Sequence, residues 1–156
     1  MDIARAKSAV VAFRWGSVHM SEILAAEYSN STQDPHRVSG AFFSYVMLRA
    51  FAAEVALKTL HYQVSGTSAD RTHNLLNLFQ GLDATTRNSL EQKYQRLRNE
   101  ALHQSGPATI REVFDDHGDD FVDWRYFYEG SADMSTGLQG LELAVEALFE
   151  EINAVV

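Results

Sequence analysis

Residues 36–64, HRVSGAFFSYVMLRAFAAEVALKTLHYQV, decide the fold. Phe42, Phe43, Val46, Leu48, Phe51, Val55, Leu57 and Leu60 recur at three- and four-residue steps, the period of a helix. Together they cover so much of the circumference that no single face is left for water. Such a helix belongs at the centre of a bundle, with others packed around it. Ahead of it, the turn SNSTQDP (Ser29 to Pro35) ends in a proline suited to a first helical turn. Behind it, Ser65 to Asp70 forms a loop.

Working outward, Ile3 to Tyr28 reads as one amphipathic helix through Val10, Phe13, Val18, Ile23 and Leu24, with Gly16 a weak point. A short helix is expected from Thr72 to Gln80, capped by Thr72, turning Leu75, Leu76, Leu78 and Phe79 inward and stopped by Gly81. Asp83 starts another, which runs through Leu90, Tyr94 and Leu97 towards His103 until Gly106 and Pro107 end it. Ala108 to Glu129 reads as one or two short helices broken near Gly118, with Phe121, Trp124, Tyr126, Phe127 and Tyr128 covering the bundle. Gly130 to Gly137 is a loop. Leu138 to Val155 is a last helix facing Leu141, Val145, Leu148, Phe149 and Ile152 inward. No alternation of period two, internal repeat or low-complexity tract interrupts this pattern. The expectation is one all-α domain over residues 1–156, an antiparallel bundle of four to six helices.

With 156 residues, 46% of them hydrophobic, the chain can bury one substantial core. It has no cysteine, which excludes disulfides, thiolate metal sites and thiol nucleophiles and suits a reducing compartment; a cytoplasmic location is expected. Met1 to Arg5 lack the features of a signal peptide, and no apolar run approaches the roughly 20 residues that span a bilayer. A net charge of −8 argues against a protein that coats nucleic acid, which needs a basic face.

Local charge is more telling. Arg87, Lys93, Arg96 and Arg98 are opposed within their stretch only by Glu91, whereas Glu112, Asp115, Asp116, Asp119, Asp120 and Asp123 make the following stretch acidic. Either this is a small electropositive site on an acidic body, or both stretches are solvated helix faces. At its end stands RNEALH, Arg98 to His103. Arginine holds phosphate through a fork of donors, and histidine moves protons near neutral pH.

These residues resemble the HEPN superfamily, small all-helical proteins that include many RNases of toxin–antitoxin, phage-defence and RNA-processing systems. The family signature is an arginine, four to six intervening residues and a histidine, commonly with a polar residue directly after the arginine; Arg98, Asn99 and His103 fit it. AFAAEVALKTL in the long central helix, RTHNLLNLF ahead of the motif helix and WRYFYE after it are similar to features of bacterial members, so the resemblance covers most of the chain. It implies a homodimer whose two motifs face one another in a composite cleft. Five residues along a continuous helix is a rotation of about 140°. Arg98 and His103 therefore share a site only if the helix ends between them or a second copy completes it.

The chemistry implied is endonucleolytic cleavage of RNA without a metal or other cofactor. His103 deprotonates the ribose 2′-hydroxyl or protonates the departing 5′-oxygen, with the partner's histidine available for the other step. Arg98 binds the scissile phosphate and stabilises its developing charge. Asn99 orients the histidine or the phosphate through its amide. Lys93 and Arg96 on the approach, and Arg71 and His73 in RTHNLL, are candidate substrate-binding residues, although a histidine in a first helical turn serves equally as a local hydrogen-bonding group. The product carries a 2′,3′-cyclic phosphate. Members silenced by modifying a tyrosine carry it two positions after the histidine; Ser105 stands there, so that regulation is not implied. An antitoxin or nucleotidyltransferase partner is compatible with the resemblance, and no membrane is involved.

Other residues carry weaker signals. Glu54 and Lys58, four apart, read as a structural helix pair. DDHGDD around His117 could bind a divalent cation but lacks the EF-hand and HExxH patterns, and acids around a glycine commonly cap helices. His19, His36 and His61 lie on separate helical segments with no ligand spacing. The aromatics from Trp124 to Tyr128 could stack on bases, or form core or dimer interface. The alternative to a nuclease is a non-catalytic nucleotide-binding or dimerisation module on the same bundle.

Overall fold

A computed structural model of the chain describes residues 1–30, 32, 34–69, 71–101, 106–119 and 138–154. Among them are six helices and no strand: α1 (Ile3–Tyr28), α2 (Pro35–Ser65), α3 (Leu75–Gln80), α4 (Ala84–Glu100), α5 (Ile110–Asp116) and α6 (Leu138–Ala154). The expected aromatic patch from Phe121 to Tyr128 and the loop from Gly130 to Gly137 lie outside the described residues.

α2 is the central helix, for the reason its composition gives. Val46, Ala50, Ala52, Ala53, Leu57 and Leu60 are fully enclosed, and α1, α3 and α6 all pack on it. Its small alanines let those neighbours approach closely, while Asp34 caps its first turn through His36 N at 2.9 Å. Gly66, at φ 71°, ends it in the left-handed conformation that glycine adopts freely. By length and composition α2 could cross a bilayer, where a reading for uninterrupted apolar residues finds no span. In the fold a little over half of that apolar stretch, 56%, is buried against the other helices.

α1 returns against α2 as a hairpin. Glu27 meets Arg37 at 2.8 Å beside the turn, a Cβ on Gly16 would stand 3.2 Å from Leu48, and the Phe13 and Phe51 rings lie 4.5 Å apart. Each step back along α1 is thus matched by a step forward along α2. Gly16, a weak point for the helix alone, is where α1 approaches α2 closely.

α6 departs from the antiparallel expectation. Leu138 packs beside Tyr45 and Val46, Glu142 pairs with Arg49 at 2.9 Å, and the Gln63 amide reaches the Ile152 carbonyl at 3.4 Å. The two helices therefore run in the same direction. The long connection from 66 to 137 makes this parallel pairing available, whereas the short turn between α1 and α2 enforces reversal.

The connection contains the smaller helices. α3 begins at Leu75, three residues later than expected, because Asn74 is its cap, accepting from Asn77 N at 2.9 Å. Thr72 instead accepts from Asn74 N. Leu75 N donates to Gly118 O at 2.9 Å, and the Asn74 amide reaches Asp119, so Gly118 and Asp119 dock on the start of α3. His117 is fully buried there. α4 is capped by Asp83, as expected, but stops at Glu100, with Ala101 in extended conformation.

Candidate active site

Glu91, Tyr94, Gln95 and Arg98 are spaced three and four apart and so share one face of α4. That face holds the chain as it returns beyond the motif. The Tyr94 hydroxyl donates to Pro107 O at 2.9 Å, the Gln95 amide donates to Ala108 O, and Glu91 accepts from Ile110 N at 3.1 Å. Gly106, at φ 93°, makes the turn into this return. Glu112 secures its far side, accepting from Ala108 N at 2.8 Å and Thr109 N at 3.0 Å. With Thr109 it forms a capping box for α5.

Arg98 extends the same stripe by one turn. It is half-buried, its Nε is enclosed without a hydrogen-bond partner, and it forms no ion pair among the described residues. Its charge is felt nearby. Burial pushes the Tyr94 phenol above its ordinary value, and Glu91 and Glu112 add to that while Arg98 opposes it. The Thr109 and Ala108 N–H groups hold the Glu112 carboxyl below its ordinary value, with a smaller contribution from Arg98. Asn99 is exposed. His103, the third motif residue, lies outside the described residues, as does Ser105.

The end of α4 falls between the two charged motif positions. Arg98 is helical, whereas the chain is already extended at Ala101. The rotation of a continuous helix therefore does not govern the step from Arg98 to His103.

Lys93 and Arg96 are placed differently. With Ser89 and Gln92 they line a shallow pocket on the face of α4 opposite Arg98. Both are matched by acids of α6: Lys93 pairs with Glu151, while Arg96 grips Glu150 at 2.6 Å and also meets Glu100 at 3.1 Å. Two cations of the basic run seen along the sequence are thus neutralised, and the fold does not bring these two residues onto Arg98's face.

Arg71 is exposed ahead of α3. His73 is half-exposed, with Nδ1 3.0 Å from Oε1 of the buried Glu54, which also meets Lys58 Nζ at 2.7 Å. The expected Glu54–Lys58 pair is present, with His73 as a third member. Among the described residues no three His, Asp or Glu side chains are grouped to hold a metal ion. His19 pairs at 3.4 Å with exposed Glu22, and His61 Nδ1 lies 3.2 Å from Ser65 Oγ.

Sequence reasoning missed one cluster. Arg49 is 1% exposed on α2 and reaches Glu142 at 2.9 Å and Glu146 at 3.3 Å, while Arg14 of α1 reaches Glu146 at 2.7 Å. The Arg49 guanidinium also lies over the Tyr45 ring at 5.7 Å. The signal was available: a cation inside a helix that is apolar all round must find carboxylates. No protein-family model, curated protein or solved structure matches the chain.

Proposed function

We propose that the protein is a metal-independent endoribonuclease of HEPN type, cutting RNA at a composite site formed when two copies bring their Arg98–His103 segments together. The observation that carries this reading is the end of α4 at Glu100, with Ala101 extended. A helix that stops there does not impose the rotation of about 140° that a continuous helix would put between positions 98 and 103. Arg98 also differs from Lys93 and Arg96 in having no carboxylate within ion-pair distance among the described residues, which suits a group that takes its anion from a ligand.

In this reading Arg98 holds the scissile phosphodiester and Asn99 orients it. One His103 removes the 2′-hydroxyl proton, and the other protonates the 5′-oxygen as the phosphorus–oxygen bond breaks. The 2′-oxygen closes on phosphorus to leave a 2′,3′-cyclic phosphate. DNA, lacking the 2′-hydroxyl, is spared.

The test is incubation of purified protein with total RNA in EDTA, beside Arg98→Ala and His103→Ala. Cleavage is expected from the wild type and is expected to fall by about 100-fold or more in each variant. Activity that survives both substitutions would sink the assignment. A non-catalytic module would leave the RNA intact in every sample.

A further inference from the structure

We propose that Glu112 sets how strongly Arg98 takes a phosphate group, its carboxylate acting as a fixed negative charge at the turn that the Arg98 stripe grips. The inference rests on the reading of Arg98 as the phosphate-holding residue and adds a determinant of its affinity.

Two placements bring the residues to the same turn. Tyr94, Gln95 and Glu91, on the stripe that Arg98 continues, contact Pro107, Ala108 and Ile110 from one side. Glu112 holds Ala108 N and Thr109 N from the other. Glu112 is also fixed there, because moving its carboxylate away would abandon both N–H groups and the capping box. Its charge therefore stays beside the site whether or not a ligand is bound.

With Nε enclosed, Arg98 can meet an incoming anion only through its terminal nitrogens. The turn gripped by the Arg98 stripe carries two carboxylates, Glu91 and Glu112. Glu91 is committed to Ile110 N and the Gln95 amide. Glu112 is the position where charge can be removed while an acceptor oxygen is kept, because glutamine retains a carbonyl oxygen for the two N–H groups.

The experiment measures binding of inorganic phosphate, and of a 2′-O-methyl RNA oligonucleotide that cannot be cut, to wild type, Glu112→Gln, Arg98→Ala and the double variant. Glu112→Gln is expected to bind both probes about two- to fivefold more tightly, the range of one exposed charge pair, and Arg98→Ala is expected to abolish that gain. In the wild type, saturating phosphate is expected to move the Glu112 carboxyl titration, followed by NMR, to higher pH, because a bound anion offsets the guanidinium charge. The wild-type titration decides the matter if the glutamine variant does not fold. Unchanged or weaker binding by Glu112→Gln, a gain that persists without Arg98, or no phosphate binding by either protein overturns the proposal. RNA cleavage separates the two readings. Cleavage that needs Arg98 and His103 but a neutral Glu112→Gln removes only this inference, whereas the expected binding pattern without cleavage removes only the nuclease.

Discussion

The Tyr94 hydroxyl and the Pro107 carbonyl oxygen are joined at 2.9 Å, so the chain that leaves α4 beyond Glu100 is tied back to the helix it left, one turn short of Arg98. The ring of Tyr94 is fully buried, so its hydroxyl must find a partner inside the protein. Tyr94, Gln95 and Glu91 together hold the return into α5 against the last turns of α4.

Tyr94→Phe keeps the packing and removes this bond, and is expected to lower unfolding free energy by about 1 kcal/mol. In urea the midpoint should fall with the slope unchanged. The pH dependence adds a second signature. Burial raises the Tyr94 and Tyr45 phenols above their ordinary value in the folded protein. Their contribution is therefore full below the unfolded value, near pH 10, and is lost as pH rises through the folded values. Tyr94→Phe should flatten that alkaline decline; an equally steep decline in the variant would show that Tyr94 does not titrate in this way.

The buried arginine on α2 ranks two other substitutions. Glu146 serves both Arg14 and Arg49, whereas Glu142 serves Arg49 and is 43% exposed. Glu146→Gln is expected to cost about 2 kcal/mol and Glu142→Gln less than about 1 kcal/mol, the second discounted for solvent screening. Equilibrium denaturation of both variants tests the order, which the opposite ranking would refute.

Much of this fold was legible in the chain, and the limits were physical. The apolar period located α1 and α2, and Pro35 marked the boundary between them, because both signals are local. The start of α3 was misplaced because Leu75 N is paired by Gly118, forty-three residues on, a tertiary bond that no local pattern announces. The pairing of Arg96 and Lys93 was hidden for the same reason: Glu150 and Glu151, which meet them, come from the far end of the sequence. The Arg98 stripe was readable as a helix face, but its grip on residues 107–110 depends on the direction of the return.

Glu54 offers a test of whether buried charge supports this core. Its side chain is 4% exposed, and Oε2 is enclosed with no hydrogen-bond partner among the described residues. His73 reaches solvent, so it can turn outward if the carboxylate is removed. Replacing Glu54 and Lys58 together by methionine is expected to raise stability by about 1 kcal/mol, because hydrophobic replacement of a buried ion pair commonly relieves its desolvation. A loss of stability instead would mean that the Lys58 and His73 contacts outweigh that relief.

The opposite faces of α4 give the sharpest prediction for activity. Lys93 and Arg96 share one face with Ser89 and Gln92 and are held by Glu151 and Glu150 of α6, while Arg98 lies on the face that grips the return. A phosphate held by Arg98 would gain little from cations on the far side that already have anions. Lys93→Ala and Arg96→Ala are therefore expected to leave RNA cleavage within about twofold of the wild type, against about 100-fold or more for Arg98→Ala. They should show themselves in stability, since each leaves a glutamate of α6 without the cation on α4 that it pairs with. Rates for the three variants on one RNA, at one salt concentration, are the measurement. Comparable losses in all three would mean that substrate crosses both faces of α4, and that a second copy of the chain, or the RNA itself, wraps around the helix.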